Sequence, residues 1–314
     1  MGREKSRYRI VGVAALAFLV FLASDFLGGA EAREVRIFVD FEYADAREFS
    51  EGLAAVKSND QWGYIDLTGR VAVSFEYRVP DVGPFSEGVA FVGDRFIDVR
   101  GNPVFDGKTF EQASSFSEGL SAVQTNGQWG FIDPNGRFAI PSSYEGAGDF
   151  SGGMAPVKKD GLWGYIDIRG RMLIEPRFVR AGAFSRAGKA ENYLAPVELE
   201  GKIGYIDRSG RFVVRPTYDE GGRFSNALAP VCGSWNRNDW GYINAAGKEI
   251  IPRRFHGAGF FNDGLAPVAT NARWGYIDLT GKLEIAALYD NARPFSEGAA
   301  AVERDGKWGY IRVK

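Results

Sequence analysis

Short apolar runs separated by turn residues recur from Val35 to the end of the chain. In GLAAVKSNDQWGYID, Leu53 to Val56 reads as one strand and Trp62 to Ile65 as the next. The joining KSND, with KKDGL or ERDGK at the same place in other copies, is hairpin-turn chemistry. Asp66-Leu67-Thr68-Gly69 makes a second turn: the Asp caps backbone amides just ahead, and the Gly tolerates positive φ. The same D-x-x-G form follows at Asp133, Asp167, Asp207 and Asp278, with Asn244 as the amide variant. Stretches such as Arg70–Val73 and Arg211–Val214 then supply a third strand. Each unit is expected to be a three-stranded antiparallel meander, and eight of them predict about 24 strands with almost no helix.

The unit repeats. An anchor of the form Phe-Ser-Glu-Gly-Leu-Ala-Ala-Val starts at Phe49, Phe85, Phe116, Phe150, Phe184, Phe224, Phe261 and Phe295. A second word, WGYID, starts at Trp62, Trp129, Trp163, Ile203, Trp240, Trp274 and Trp308. An eroded copy, Asp94-Arg95-Phe96-Ile97-Asp98, completes the set. The period is 34 residues in most copies, for example from Phe116 to Phe150. Two copies are longer: the fifth through RAGKAENYL and the sixth through CGSWNRND. These in-phase words over residues 34–314 resemble the WG-repeat family, which is named for its Trp-Gly pair. The resemblance implies a mainly bacterial, β-rich repeat protein without a general enzymatic activity, and it specifies no ligand. Ile203 and Asp94 depart from the pattern, so their units are expected to pack more loosely.

Strand residues alternate faces, so Trp and Tyr share one face while Gly and Ile share the other. Trp is the largest filler available, and Gly beside it leaves room for a neighbouring backbone or ring. Both faces are apolar, and a lone three-stranded unit cannot cover both, so neighbouring copies must bury one another. Pro156, Pro196, Pro230 and Pro267 share one position in the first hairpin strand. Proline has no amide hydrogen, so that strand is expected at a sheet edge, with separate small sheets packed face to face. The first strand, Val35 to Phe41, is of the third type, and the last, in WGYIRVK, is of the second. An open array needs polar caps that the sequence does not show, and a ring needs none. The all-β fold is therefore expected to be a propeller-like ring in preference to an open curved array, although blades usually have four strands and about 40–45 residues.

The first 32 residues have a different pattern. Arg3, Lys5, Arg7 and Arg9 precede an apolar run from Ile10 to Ala23, and Ala30-Glu31-Ala32 has the small-x-small form of a cleavage site. This describes a secretory signal peptide cleaved after Ala32, with an uncleaved anchor as the alternative, since Phe26 and Leu27 extend the apolar stretch. No Cys follows the run, which excludes a bacterial lipoprotein anchor. Residues 33–314 then form one exported WG β-repeat domain, periplasmic, in the cell envelope or extracellular.

Charge and composition narrow the chemistry. The formal net charge is −2 with no Lys/Arg-rich block, which speaks against nucleic acid, and any membrane contact is expected only through an uncleaved N-terminus. A single cysteine, Cys232, and a single histidine, His256, leave no material for a disulfide, a zinc site or a Cys/His dyad. One Asp per turn does not gather the 6–8 oxygens that Ca²⁺ wants. Glu51, Glu87, Glu118 and Glu297 sit in repeated Ser-Glu-Gly turns, which is how a turn looks, not a glycosidase pair. His256 falls at a surface turn position. No catalytic, cofactor or metal residue is expected.

The candidate contact residues lie in the two expanded loops: Trp235, Arg237 and Asn238 in one, Lys189 and Tyr193 in the other. An off-pattern aromatic among polar groups marks a contact surface, unless both loops are simply tolerated expansions. The expected function is an exported, non-enzymatic binding or scaffold protein with a protein partner at the envelope. The alternative is a lectin-like module with Trp235 and Tyr193 stacking on a glycan.

Overall fold

The computed structural model describes residues 33–80, 82–189, 191–234 and 239–313. They form eight antiparallel sheets set as the blades of a propeller. The first blade shows the plan: Asp45–Ala46, Leu53–Ser58, Gln61–Asp66 and Val71–Tyr77 pair in that order from the axis outward. Seven sheets contain such a four-stranded set, and the fifth adds a short strand, Ser185–Arg186. The second blade keeps only Val89–Val92 and Arg95–Asp98. The fourth strand of each full blade was not expected from the repeat. It is a two-residue inner strand such as Asp45–Ala46 or Gly146–Ala147, too short to carry an alternation.

The ring is closed by its ends. Val35–Tyr43 is the outer strand of the last blade and pairs antiparallel with Lys307–Val313, placing Ile37 opposite Ile311 and Tyr43 opposite Trp308. The Ser-Glu-Gly and D-x-x-G turns all lie at one end of the ring, hereafter the turn end. The tight hairpins lie at the other.

The repeated words act between blades. Each WGYID tyrosine packs on the anchor Phe of the next copy: Tyr64 on Phe85, Tyr165 on Phe184, Tyr242 on Phe261 and, across the closure, Tyr310 on Phe49, with ring centres 4.8–5.0 Å apart. The tyrosine hydroxyl then donates to a carbonyl at the end of the next inner strand, as in Tyr64 to Gly83 and Tyr165 to Gly182, at 2.8 and 2.9 Å. Burial pushes the Tyr165 hydroxyl far above its ordinary pKa, so it stays a donor. The third blade has Phe131 instead, with the same ring contact to Phe150 and no hydroxyl. Tyr165→Phe is expected to cost about 1 kcal/mol in chemical denaturation, the net worth of one buried hydrogen bond, and Phe131→Tyr to gain a similar amount.

Serine hydroxyls make a second link, donating to the next anchor carbonyl: Ser50 to Phe85, Ser86 to Phe116, Ser117 to Phe150 and Ser296 to Phe49, at 2.6–2.7 Å.

The proline position needs a correction. Pro156 lies in the second strand of its blade, between the inner and third strands, not at an edge. Its carbonyl accepts from Gly148, the residue after the inner strand Gly146–Ala147, so its nitrogen faces that side too. In the next blade, the inner-strand carbonyl beside Pro196 is Gly182, which accepts the Tyr165 hydroxyl of the neighbouring blade instead. Proline is tolerated because a side chain supplies the missing donor. The other half of the expectation holds: hydrogen-bonded ladders stop at each blade.

The Trp-Gly glycine has its reason in the outer strand. That strand carries two extra residues between its pairings, since Trp62 pairs with Tyr77 but Tyr64 with Val73. The resulting bulge presses backbone onto the glycine, and a Cβ at Gly164 would lie 2.4 Å from the Ile174 carbonyl oxygen. In the eroded copy Arg95 replaces this glycine, and only a bridge from Ile97 to Pro103 remains of the outer strand. Phe105, at φ 57°, fills the gap by packing on Phe96 and Phe116. The Ile203 blade is not loosened in this way: Ile203 is buried and keeps its pairing with Tyr218.

Candidate functional site

Six of the eight residues that immediately precede an anchor Phe line a cavity along the axis: Glu48, Pro84, Ser115, Arg223, Phe260 and Pro294. The cavity has a volume of about 950 Å³. On the side of the eroded blade, where the inner strand is reduced to a single bridge between Val82 and Val92, Gly83, Phe91 and Gly93 form the wall. Arg223 lies over the Phe260 ring at 5.0 Å, joining a cation to an apolar surface. Glu48 and Glu111 bring acids to the same wall, and Ser114 and Asn262 bring neutral polar groups. The residues of this column differ from copy to copy, and that irregularity is the sequence signal for the axis.

The repeated acids are occupied elsewhere. Asp66 Oδ1 accepts from the Thr68 amide and hydroxyl and from the Arg70 amide, and the arrangement recurs at Asp207 and Asp278. The Thr68 hydroxyl, with the amides, holds the Asp66 carboxyl below its ordinary pKa, and the Asn102 and Arg137 amides do the same for Asp98 and Asp133. A carboxyl whose folded pKa is lowered contributes stability above its unfolded pKa of about 3.9 and loses it as pH falls through the folded value. Urea midpoints are therefore expected to drop as pH falls below about 4, and the drop should be shallower in Asp66→Asn and Asp133→Asn.

The Ser-Glu-Gly carboxylates clamp blade to blade. Glu51 accepts from the Glu87 and Gly88 amides at 2.7 and 2.9 Å, and Glu118 from those of Gly152 and Gly153 at 2.8 and 2.9 Å. Glu87, Asp263 and Glu297 reach Gly119, Gly298 and Gly52 in the same way. Cys232 is buried, and desolvation pushes its thiol up, as suits an inert core residue. His256 is exposed in its turn. Among the described residues no group of His, Cys, Asp and Glu is placed to hold a metal ion.

Of the loop candidates, Trp235, Arg237 and Asn238 lie outside the described residues. Their flanks, Ser234 and Asp239, are at the hairpin end of the sixth blade. Lys189 and Tyr193 are at the turn end of the fifth blade, the end of the ring opposite to Ser234 and Asp239. Lys189 is exposed, while the Tyr193 ring packs on Gly152 of the preceding blade, where a Cβ would come within 2.7 Å. Arg186, which pairs with Tyr193 across the short strands, was missed. Its signal is a charge reversal: Arg stands where four other copies have the Glu of Ser-Glu-Gly and a fifth has Asp263.

The repeats themselves are matched by the family described as "WG containing repeat" in eight segments: residues 36–62, 62–93, 95–129, 129–163, 163–202, 203–232, 240–273 and 274–308. The chain belongs to the WG-repeat family. No curated protein matches this WG-repeat chain. Among solved structures, a eukaryotic initiation factor is similar at a TM-score of 0.57 and 13% identity, over 84% of this chain and 82% of that one. A streptogramin B lyase matches at 0.49 and 12%, over 91% of the WG-repeat chain and all of its own. PorZ, a surface component of the type-IX secretion system of Porphyromonas gingivalis, matches at 0.44 and 12%, over 85% and 42%. At such identities the likeness to the initiation factor is one of fold alone.

Proposed function

We propose that this WG-repeat chain is an exported, non-enzymatic binding protein of the cell envelope that receives a partner protein at its axial cavity. The observation that carries the reading is a division of labour among side chains. The recurring acids are held by backbone amides as turn caps and blade clamps, whereas the residues facing the axis differ from copy to copy. Chemical variety on a concave, rigid surface supports selective binding. Export rests on the basic, apolar and small-x-small pattern of residues 1–32, which lie outside the described residues. Among the described residues no helix is long and apolar enough to cross a membrane. The Phe91 and Phe260 rings in the cavity wall favour a carbohydrate as the second reading, through stacking.

The test mixes the purified secreted protein with the insoluble envelope of its own cell, either untreated or stripped by protease. Retention on untreated material only, weakened by Arg223→Ala, is the expected result. Equal retention on stripped material would exclude a protein partner and move the ligand to a glycan.

A further inference from the structure

The clamp of carboxylate on backbone amides is present at five of the eight blade junctions; the fourth, fifth and sixth blades, with Gly152, Arg186 and Asn226 at the clamping position, supply no acid to the blade that follows. In the occupied junctions the receiving turn has two successive residues at positive φ, such as Glu87 and Gly88 at 53° and 83° or Gly152 and Gly153 at 64° and 76°. At these two junctions both N–H groups converge on one carboxylate contributed by the preceding blade, and at the other three the Gly amide alone reaches it. The sixth blade keeps this geometry at Asn226 and Ala227, with φ of 48° and 67°. Ala227 even adopts the left-handed conformation that Gly serves in six of the other copies and that an L-residue disfavours. Yet the amides of Asn226 and Ala227 have no acceptor among the described residues.

The reason lies in the fifth blade. It has Arg186 where five other blades carry the clamping acid, and its expanded loop draws the chain into the short strand Ser185–Arg186. What remains is a depression of about 470 Å³ lined by Arg186, Gly188, Asn226, Ala227 and Leu279. Arg186 has no ion-pair partner among the described residues, and Lys189 and Arg208 are exposed at the same end of the fifth blade. So a two-amide cradle that the protein fills with its own Glu or Asp at five junctions is here left open, with a guanidinium set beside it, whereas at the seventh blade the Asp263 amide is taken by Asn262 of its own turn.

We propose that this depression is a binding site for a carboxylate, the side chain of a Glu or Asp on a partner polypeptide. The amides of Asn226 and Ala227 take the two oxygens as those of Glu87 and Gly88 take Glu51. Arg186 adds a charge-assisted contact. An acidic side chain is favoured over a sugar acid because each occupied cradle is filled by one. The proposal shares with the functional reading only the polypeptide nature of the partner, and its site is distinct from the axial cavity.

The experiment follows the Asn226 and Ala227 amide resonances of the ¹⁵N-labelled secreted protein on addition of Ac-Ala-Glu-Ala-NH₂ into the millimolar range. Saturable shifts are expected with this peptide, and with Ac-Ala-Gln-Ala-NH₂ binding should be at least about fivefold weaker, as befits loss of a charged hydrogen bond. Arg186→Glu, at an exposed site that leaves the fold intact, should abolish the shifts, and Arg186→Lys should retain most of them. Equal responses to the two peptides, an unchanged response in Arg186→Glu, or shifts produced by glucuronate alone would each overturn the assignment. None of these outcomes depends on retention by the envelope, so the two readings fail separately.

Discussion

Gly164→Ala is expected to cost about 3 kcal/mol or more, the upper range for overpacking a rigid interior. A Cβ there would stand 2.4 Å from the Ile174 carbonyl oxygen and 2.8 Å from the Pro176 nitrogen, and both are backbone atoms of the bulged outer strand. No flexible side chain can swing away, so either the bulge must flatten or the strands must part. In a domain of this size the loss corresponds to a fall in melting temperature of roughly 6–12 °C. The comparison variant is Gly161→Ala in the adjacent hairpin, which has open space for a Cβ but φ of +78°. It tests conformation without crowding and should cost about 1–2 kcal/mol. If Gly164→Ala proved no worse than Gly161→Ala, close approach of the outer strand would not be the reason for the Trp-Gly word. Gly204, Gly241 and Gly275 meet the same backbone atoms of their own outer strands and should behave as Gly164 does.

The second large effect concerns closure. A chain secreted without residues 33–43 should lose the cooperative native state. Those residues bring Val39 and Tyr43 into the core of the first and last blades, with Val35, Ile37 and Phe41 partly buried against the last. Burying Val39 and Tyr43 alone is worth roughly 3–6 kcal/mol on area grounds, against a whole-domain stability of about 5–15 kcal/mol. Removal also strips the ladder from Lys307–Val313 and leaves that strand as a bare edge next to apolar rings. Calorimetry of the truncated chain should show no sharp transition, and sedimentation should show association. The single change Val39→Asp should weaken the fold in the same direction without altering the backbone. A truncated chain that melted sharply near the temperature of the parent would mean that the ring does not depend on this strand.

Much of the architecture could be read before any coordinates. Strong, in-phase words with large aromatics report the hairpins and D-x-x-G turns directly, because a turn needs particular residues at particular φ. The two-residue inner strands were invisible, since Asp45–Ala46 or Asn291–Ala292 is too short to alternate and owes its pairing to the neighbouring strand. The proline position was misread because its donor is a tyrosine hydroxyl one blade away, a partner 17 residues from the carbonyl it serves. The axial wall was missed for the opposite reason. Sequence reading rewards what repeats, and Glu48, Ser115, Arg223 and Phe260 matter by not repeating. At the fifth blade the inserted residues attracted notice, whereas the exchange of Glu for Arg at position 186 is the change that opens a junction.

Pairing Val35–Tyr43 with Lys307–Val313 also sets an order of events in the life of the chain. Residues 35–43 leave the ribosome well before residues 307–313, their partners, so the ring cannot close until both have been made. Individual blades can gather early, but the joint that makes them a circle waits for the final strand. Contacts of such sequence separation are slow to form. For an exported chain, as proposed above, that delay would keep the polypeptide threadable until it had crossed the membrane, and only then would it become round.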